Sequence, residues 1–97
     1  MTYSVYILRT SENTLYTGQT NNLKRRLREH KKKSARSARY MRKFESFELV
    51  YWEKYSTRKE AMARETEIKK WRKIRKEKLV RDGMMKIGQT SGYNEIR

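Results

Sequence analysis

Two short segments near the start of the chain have the composition of β-strands and are separated by a short turn. Tyr3–Thr10, YSVYILRT, is rich in β-branched and aromatic residues, and Thr14–Thr20, TLYTGQT, has the same character. The Ser-Glu-Asn sequence between them, residues 11–13, is typical of turns. A link this short holds two consecutive strands antiparallel. The chain must therefore fold around a β-hairpin.

The rest of the chain predicts one further strand and three helices. Asn21 or Asn22 can cap a first helix over about residues 23–33. Residues 47–56, FELVYWEKYS, predict the third strand, and Thr57 with Glu60 has the spacing of a capping box. That box opens a second helix that ends near residue 72.

A third, shorter helix is expected to stop near Gly83, and residues 84–97 have no clear period. The order β-β-α-β-α-α predicts an α/β (α+β) fold, a small sandwich in which a three-stranded antiparallel sheet is flanked by helices.

The charge of the chain points to a polyanionic partner. Its 97 residues include 26 Lys and Arg against 11 Asp and Glu, a formal net charge of +15. Such a field attracts nucleic acid above all. The sequence has no long apolar run, export signal or lipidation motif, so a membrane is not the expected partner and the cytoplasm is the predicted location. The absence of Cys and the single His exclude thiol nucleophiles and zinc centres of several imidazoles.

Helical periodicity separates the arginines of the first helix. At about 100° per residue, two leucines and His30 fall on one apolar stripe. Arg26 borders that stripe, whereas Arg25 and Arg28 point away from it. The only histidine and one arginine are therefore expected to face the sheet together. Taken alone, this pattern also fits a packing or capping histidine beside an arginine in a structural ion pair.

A glutamate on the second helix lies where apolar residues are expected. Ala61, Met62 and Ile68 define the inward face, Trp71 lies at its margin, and Glu65 falls within that stripe. A carboxylate there requires a partner, because burying an unpaired charge is unfavourable. Two readings remain open: an ion pair with an arginine, or a Mg²⁺-type cation held by one carboxylate and waters.

Two tyrosines are expected to meet across the hairpin. Tyr6 and Tyr16 lie on the two adjacent strands, and Gly18 indicates a close approach near the strand end. Simple packing is an alternative reading, since tyrosines are common in strands.

With these residues identified, the chain resembles the GIY-YIG endonuclease superfamily, and in particular its small stand-alone bacterial members. The two signature triplets correspond to SVY, residues 4–6, and YTG, residues 16–18. The match continues through RRLREH, residues 25–30, and EAMARETEIKKW, residues 60–71, and covers about residues 3–80. It implies a nuclease domain over residues 1–82, followed by a flexible tail over residues 83–97.

The resemblance implies a metal-dependent DNA endonuclease. Tyr6 and Tyr16 match the motif tyrosines, Arg26 the catalytic arginine, His30 the histidine one turn later, and Glu65 the glutamate that holds the single divalent metal, Mg²⁺ or Mn²⁺. In that scheme Tyr6 helps to activate water. A tyrosine base needs its pKa, ordinarily about 10, lowered, and cationic neighbours favour this. A late asparagine found in many members has no convincing counterpart here.

No separate recognition domain accompanies the motifs, so affinity must come from the basic surface. The predicted DNA-binding residues are Arg25, Lys31, Lys32, Lys33, Arg36, Arg39, Tyr40 and Arg42. Phosphate contacts of this kind carry little sequence information, so structure-selective or weakly sequence-specific binding to branched or single-stranded DNA is expected. Tyr40 is read either as a base-stacking or as a packing residue. The alternatives to an enzyme are a non-catalytic nucleic-acid-binding module, or a subunit that needs a partner protein.

Overall fold

Three strands and three helices follow one another in the predicted order. The computed structural model describes residues 2–32 and 42–87. The strands are β1 (Tyr3–Thr10), β2 (Leu15–Thr20) and β3 (Phe47–Tyr55), and the helices are α1 (Leu23–Lys31), α2 (Arg58–Lys69) and α3 (Lys73–Ile87). The predicted fold class, a three-stranded antiparallel sheet with helices in the order β-β-α-β-α-α, is confirmed. None of these three helices has both the length and the apolar content that crossing a membrane requires.

The hairpin strand β1 is the centre of the sheet. The strand order is β2-β1-β3, and β1 pairs antiparallel with both neighbours. Tyr6 of β1 is flanked by Gly18 on β2 and by Trp52 on β3. In the turn between β1 and β2, Asn13 has a φ of 63°, a left-handed conformation that asparagine tolerates well. The first two strands therefore form the hairpin that their sequences predicted.

One face of the sheet packs against α2 and α3, and we call it the α2/α3 face. Side chains alternate along β1, so Val5 and Ile7 point to this side. They pack with Ala61 and Ile68 of α2 and with Val80 of α3. These apolar contacts fix α2 across the sheet, and with it Glu65.

The opposite face packs against α1, and we call it the α1 face. Here Tyr6 and Leu8 of β1 are buried with Leu23 of α1 and Leu49 of β3. Tyr16 packs against the same cluster. The alternation of β1 therefore directs both motif tyrosines toward α1.

The helix starts lie where the sequence predicted them. Asn22 caps α1, and its side-chain oxygen accepts a 3.0 Å hydrogen bond from the backbone N–H of Arg25. Thr57 caps α2, and its hydroxyl accepts a 3.2 Å hydrogen bond from the backbone N–H of Glu60. These caps satisfy backbone donors that the helix itself leaves without a partner. They also fix the residue at which each helix begins.

Three predicted details of the helices are wrong. Met62 is 46% exposed and does not belong to the inward face of α2. That helix ends at Lys69, short of residue 72. The third helix does not stop near Gly83 but continues to Ile87. Gly83 is required for packing, because a Cβ there would collide with the ring of Tyr51. Residues 88–97 lie outside the described residues, and the domain boundary at residue 82 stays a prediction.

Candidate active site

Tyr6 and Tyr16 meet on the α1 face, as the hairpin predicted. Tyr6 lies directly opposite Gly18, and its hydroxyl oxygen is 2.6 Å from the point that a Cβ of residue 18 would occupy. Any side chain at Gly18 would therefore displace the phenol. The ring of Tyr16 lies beside that of Tyr6, with centroids 6.3 Å apart. Because β2 is an edge strand, the hydroxyl end of Tyr6 lies at the edge of the sheet.

His30 completes this cluster from α1. Its side chain faces inward, as the helical phase predicted, and is only 2% exposed. Tyr6 Oη and His30 Nε2 are 3.1 Å apart and form a buried hydrogen bond. The ring of Tyr16 meets the imidazole edge-on, with centroids 5.7 Å apart. His30 is thus in contact with both motif tyrosines.

The surroundings lower the pKa of His30 and raise the pKa of Tyr6. Burial, together with the positive charge of Arg26, lowers the pKa of His30 from 6.5 to about 4, so the imidazole is neutral at pH 7. Burial also raises the pKa of Tyr6 well above its ordinary value of 10.0, and the neighbouring Tyr16 adds to this increase. The hydrogen bond and charge of Arg26 oppose the increase without cancelling it. The lowering of the pKa that a tyrosine base needs therefore does not occur at Tyr6, because burial outweighs the cation.

Arg26 borders the cluster while its side chain stays 24% exposed. Its guanidinium hydrogen-bonds the Tyr6 hydroxyl and forms a 3.2 Å ion pair with Glu29. Burial lowers the pKa of Arg26, but the hydrogen bonds to Tyr6 and Glu29 outweigh it and raise that pKa. The sequence reasoning did not identify Glu29, although its i,i+3 spacing from Arg26 was a usable signal. We refer to Tyr6, Tyr16, Arg26 and His30 as the Tyr6 cluster.

Glu65 lies on α2, at the boundary between core and solvent. Its side chain is 20% exposed and pairs with Lys69 at 3.2 Å, rather than with an arginine. Its negative charge still acts on Tyr6, where it contributes to the raised pKa of the phenol. Glu65 is therefore not sealed in the core, and it lies near enough to the Tyr6 cluster to influence it electrostatically.

The surroundings of Glu65 fit a cation held by one carboxylate. No group of three or more His, Cys, Asp or Glu side chains suited to metal binding occurs within residues 2–32 and 42–87. Mg²⁺ commonly keeps several waters and takes one or two protein carboxylates. The Glu65 carboxylate is accessible, and its partner Lys69 is 53% exposed and free to rotate into solvent.

The predicted DNA-binding residues are only partly described by the structure. Arg25, Lys31, Lys32 and Arg42 are exposed, and Arg28 is exposed on α1 as well. Arg25 Nη2 donates a 3.2 Å hydrogen bond to the Asn21 side chain. The remaining predicted residues, Lys33, Arg36, Arg39 and Tyr40, lie outside the described residues. Their roles stay predictions.

A second polar cluster, which the sequence reasoning did not identify, lies on the α2/α3 face. The Glu53 carboxylate accepts hydrogen bonds from Tyr51 (2.5 Å) and Tyr55 (2.6 Å). Arg64 of α2 adds two further hydrogen bonds of 3.0 Å to the same carboxylate, and it also pairs with Glu67. Burial raises the pKa of Glu53, but these hydrogen bonds outweigh it and lower that pKa. We refer to Tyr51, Glu53, Tyr55 and Arg64 as the Glu53 cluster.

Comparison with protein families gives one domain match over most of the chain. The profile described as the GIY-YIG catalytic domain matches residues 2–78. This range contains all five candidate site residues, and it ends inside α3.

Similar proteins and a similar solved structure carry the designation UPF0213. The UPF0213 protein of Natronomonas pharaonis is 42% identical over 78 residues, which cover 80% of this chain and 89% of that protein. That of Desulfotalea psychrophila is 46% identical over 77 residues, which cover 79% of this chain and 69% of that protein. The solution NMR structure of a UPF0213 protein from Bacillus halodurans superimposes with a TM-score of 0.54 at 35% identity, and the alignment covers 82% of this chain and 83% of that one.

Proposed function

This chain belongs to the GIY-YIG catalytic domain family, and from that premise we propose that it is a metal-dependent endonuclease that hydrolyses DNA phosphodiester bonds. The family is one of nucleases, whereas the designation UPF0213 specifies no activity. The observation that supports the proposal most strongly is the Tyr6–His30 hydrogen bond with Arg26 beside it.

That hydrogen bond provides a route for the proton of the attacking water. Neutral His30, with its own proton on Nδ1, accepts the Tyr6 phenol proton at Nε2. In the same step the phenol oxygen takes a proton from water, and the water oxygen forms the new bond to phosphorus as the bond to the leaving oxygen breaks, with its electron pair staying on that oxygen. In this scheme Tyr6 passes a proton on instead of holding a negative charge. The raised pKa of Tyr6 is compatible with such a role, because no phenolate has to persist.

Arg26 and Tyr16 act on the phosphate and on the water. The Arg26 guanidinium is positively charged and partly exposed, so it can stabilise the charge that develops on the phosphate oxygens. Tyr16 is less buried than Tyr6 and lies against both Tyr6 and His30. In this proposal Tyr16 orients the water beside the phenol.

Glu65 would hold Mg²⁺ or Mn²⁺, and a cation bound there supplies electrostatic stabilisation of the charge that builds up on the leaving oxygen. To accept the cation, the Glu65 carboxylate gives up its ion pair with Lys69. Exposed ion pairs of this kind contribute at most about 1 kcal/mol, so the exchange is easily offset.

The exposed basic residues determine the choice of substrate. They contact phosphates and not bases, so we propose selection of DNA by structure, as in branched or single-stranded DNA, with only weak sequence preference. A chain of this charge is suited to polyanionic partners, and we propose the cytoplasm as its location.

The experiment that tests this function compares two glutamates of α2. Purified protein is incubated with Mg²⁺ or Mn²⁺ and with plasmid, flapped, branched and single-stranded DNA. Glu65→Gln is expected to reduce cleavage at least about a hundredfold, because it removes the carboxylate that binds the cation. Glu67→Gln makes the same change on the same helix at a side chain that is 55% exposed, and cleavage is expected to persist.

Equal cleavage by wild type and Glu65→Gln would contradict the assignment of the metal site. Binding of DNA without cutting by the wild-type protein would contradict the proposed enzyme and favour the alternative, a non-catalytic nucleic-acid-binding module. Cutting that appears only after another protein is added would favour a subunit that depends on a partner.

A further inference from the structure

A polar groove opens at the end of the sheet where β1 begins and β2 ends. Its volume is about 430 Å³, and its walls include Tyr3 of β1, Gln19 of β2, Arg25 of α1 and Arg58, the first residue of α2. Pockets that hold small ligands have volumes of about 300–1,000 Å³. The groove is therefore large enough for the phosphate and sugar of one nucleotide.

The charge of the groove favours an anion. Three arginines line it, Arg25, Arg26 and Arg58, against one acidic residue, Glu29. Glu29 is paired with Arg26, which leaves Arg25 and Arg58 uncompensated by a carboxylate in the groove. Arg58 makes no ion pair and no side-chain hydrogen bond with any residue in the described ranges, 2–32 and 42–87. A guanidinium is well suited to bidentate contact with phosphate oxygens.

The helix geometry adds to this preference. Both α1 and α2 begin beside the groove, since Asn21 and Arg58 line it and lie at the N-terminal ends of the two helices. The N-terminal end of a helix carries a partial positive charge. The first turn of α1 contains no acidic residue that would neutralise it. The first turn of α2 contains Glu60, which offsets the charge of that helix end, so the α1 end is the one that acts in the same direction as the arginine side chains.

The groove is continuous with the Tyr6 cluster through Arg26. The same guanidinium that hydrogen-bonds the Tyr6 hydroxyl also lines the groove, whereas Glu65 does not line it. An anion in the groove would therefore lie beside a phosphate held at Tyr6 and Arg26.

We propose that this groove binds a phosphate next to the scissile one on the same DNA strand, with Arg58 and Arg25 as its ligands. This inference rests on the proposed nuclease function, which it deepens by assigning a subsite to the neighbouring nucleotide. Gln19 is placed to donate a hydrogen bond from its amide, and Tyr3 offers a ring against which a sugar or base can pack.

The test measures DNA binding without any cleavage. A fluorescent single-stranded oligonucleotide is titrated with protein in EDTA at several salt concentrations. Arg58→Met is expected to weaken binding about tenfold, the loss typical of a hydrogen bond to a charged group. It is also expected to reduce the salt slope by about 0.7, which corresponds to one phosphate of a single strand. The affinity of Arg58→Lys for DNA should lie between those of the wild type and Arg58→Met, because lysine keeps the charge but loses the bidentate geometry.

A matched variant separates the effect of the groove on DNA binding from the effect of net charge. Arg72→Met removes the same charge in the link between α2 and α3, at an exposed residue that does not line the groove. It is expected to weaken binding much less than Arg58→Met. Equal losses in the two variants would overturn the proposal, because they would reflect only the total charge.

Methylphosphonate substitution, one phosphate at a time, then locates the contact. One substituted position should weaken binding of the wild type and have little further effect on Arg58→Met, as coupled groups do. If no position shows this coupling, the subsite is refuted even where the protein cuts DNA. If the coupling is present but Mg²⁺ produces no cleavage, the subsite is supported and the nuclease proposal is refuted.

Discussion

The Tyr6 cluster and the Glu53 cluster use the same kinds of side chain on opposite faces of one sheet. Each contains two tyrosines and an arginine supplied by a helix. In the Glu53 cluster, both tyrosine hydroxyls and the arginine converge on a carboxylate. In the Tyr6 cluster, both tyrosines converge on a buried imidazole instead.

We propose that the group at the centre determines what each cluster does. Glu53 is negative, and the positive charge of Arg64 balances it. The cluster therefore links β3 to α2, and the lowered pKa of Glu53 keeps its carboxylate deprotonated. His30 is kept neutral by burial and by Arg26, and its Nε2 forms a hydrogen bond with the Tyr6 hydroxyl. The residue types alone do not distinguish a structural cluster from a reactive one. The charge of the central group does.

Arg26→Met tests the reactive cluster and has the largest expected effect. We expect cleavage to fall by about 10²–10³-fold, the usual loss when one donor to a developing oxyanion is removed. The free energy of unfolding should change little, because Arg26 is partly exposed and its ion pair with Glu29 is short-range and solvated. Single-turnover cleavage and urea unfolding measure the two quantities. A large loss of stability with an unchanged rate would place Arg26 among the structural residues.

Arg64→Met tests the Glu53 cluster by the same substitution. We expect the free energy of unfolding to fall by about 2 kcal/mol, because Glu53 loses its cation while it is still largely buried. The contact of Arg64 with the Trp71 ring, 5.2 Å from its centroid, is lost as well. Urea denaturation checks the value. A variant as stable as the wild type would show that this cluster does not hold α2 to the sheet.

Two glycine substitutions test separately how tightly each cluster is packed. Gly18→Ala should displace the Tyr6 phenol, lower stability by about 1–3 kcal/mol and reduce cleavage. Gly83→Ala should push against the Tyr51 ring, with a loss of stability but not of cleavage beyond that loss. Thermal unfolding and cleavage rates are measured for both. If Gly18→Ala cuts DNA as the wild type does, the position of the phenol is not important.

The pH dependence of stability tests the buried imidazole of the Tyr6 cluster. Because the pKa of His30 falls from 6.5 to about 4 on folding, the unfolded chain binds more protons between these values. Stability should therefore decrease as the pH falls from 6.5 toward 4. The lowered pKa of Glu53 contributes only below its ordinary value of 4.5.

The variant His30→Asn isolates this contribution. In this variant the free energy of unfolding should no longer change with pH between 6.5 and 4.5. The loss of stability at lower pH should remain. An unchanged slope in His30→Asn would show that another group titrates in this range.

The periodicity of the sequence predicted which side chains of a helix or strand share a face, because local geometry controls this. The phase of α1 placed His30 inward and Arg26 at the margin, because the Asn22 cap and the helical repeat fix both directions. The alternation of β1 and β2 brought Tyr6 and Tyr16 together for the same reason.

What the sequence could not provide depends on contacts between distant elements. A strand pattern gives the face of Glu53 but not its partner Arg64, which α2 supplies. The cationic neighbour of Tyr6 was expected, but the depth of its burial, 1% exposed, was not, and burial sets the direction of its pKa. Gly83 was interpreted as a helix end because the ring of Tyr51 against it belongs to another strand.

The most direct test of the central claim compares Tyr6→Phe with Tyr51→Phe. Each removes one hydroxyl from one cluster and leaves the ring in place. Single-turnover cleavage of a flapped DNA substrate in Mg²⁺ should fall by about 10²-fold or more in Tyr6→Phe, because the route from water to His30 is broken. Tyr51→Phe should cleave at a rate near that of the wild type. Equal rates in the two variants would contradict the assignment of the proton route to the Tyr6 cluster.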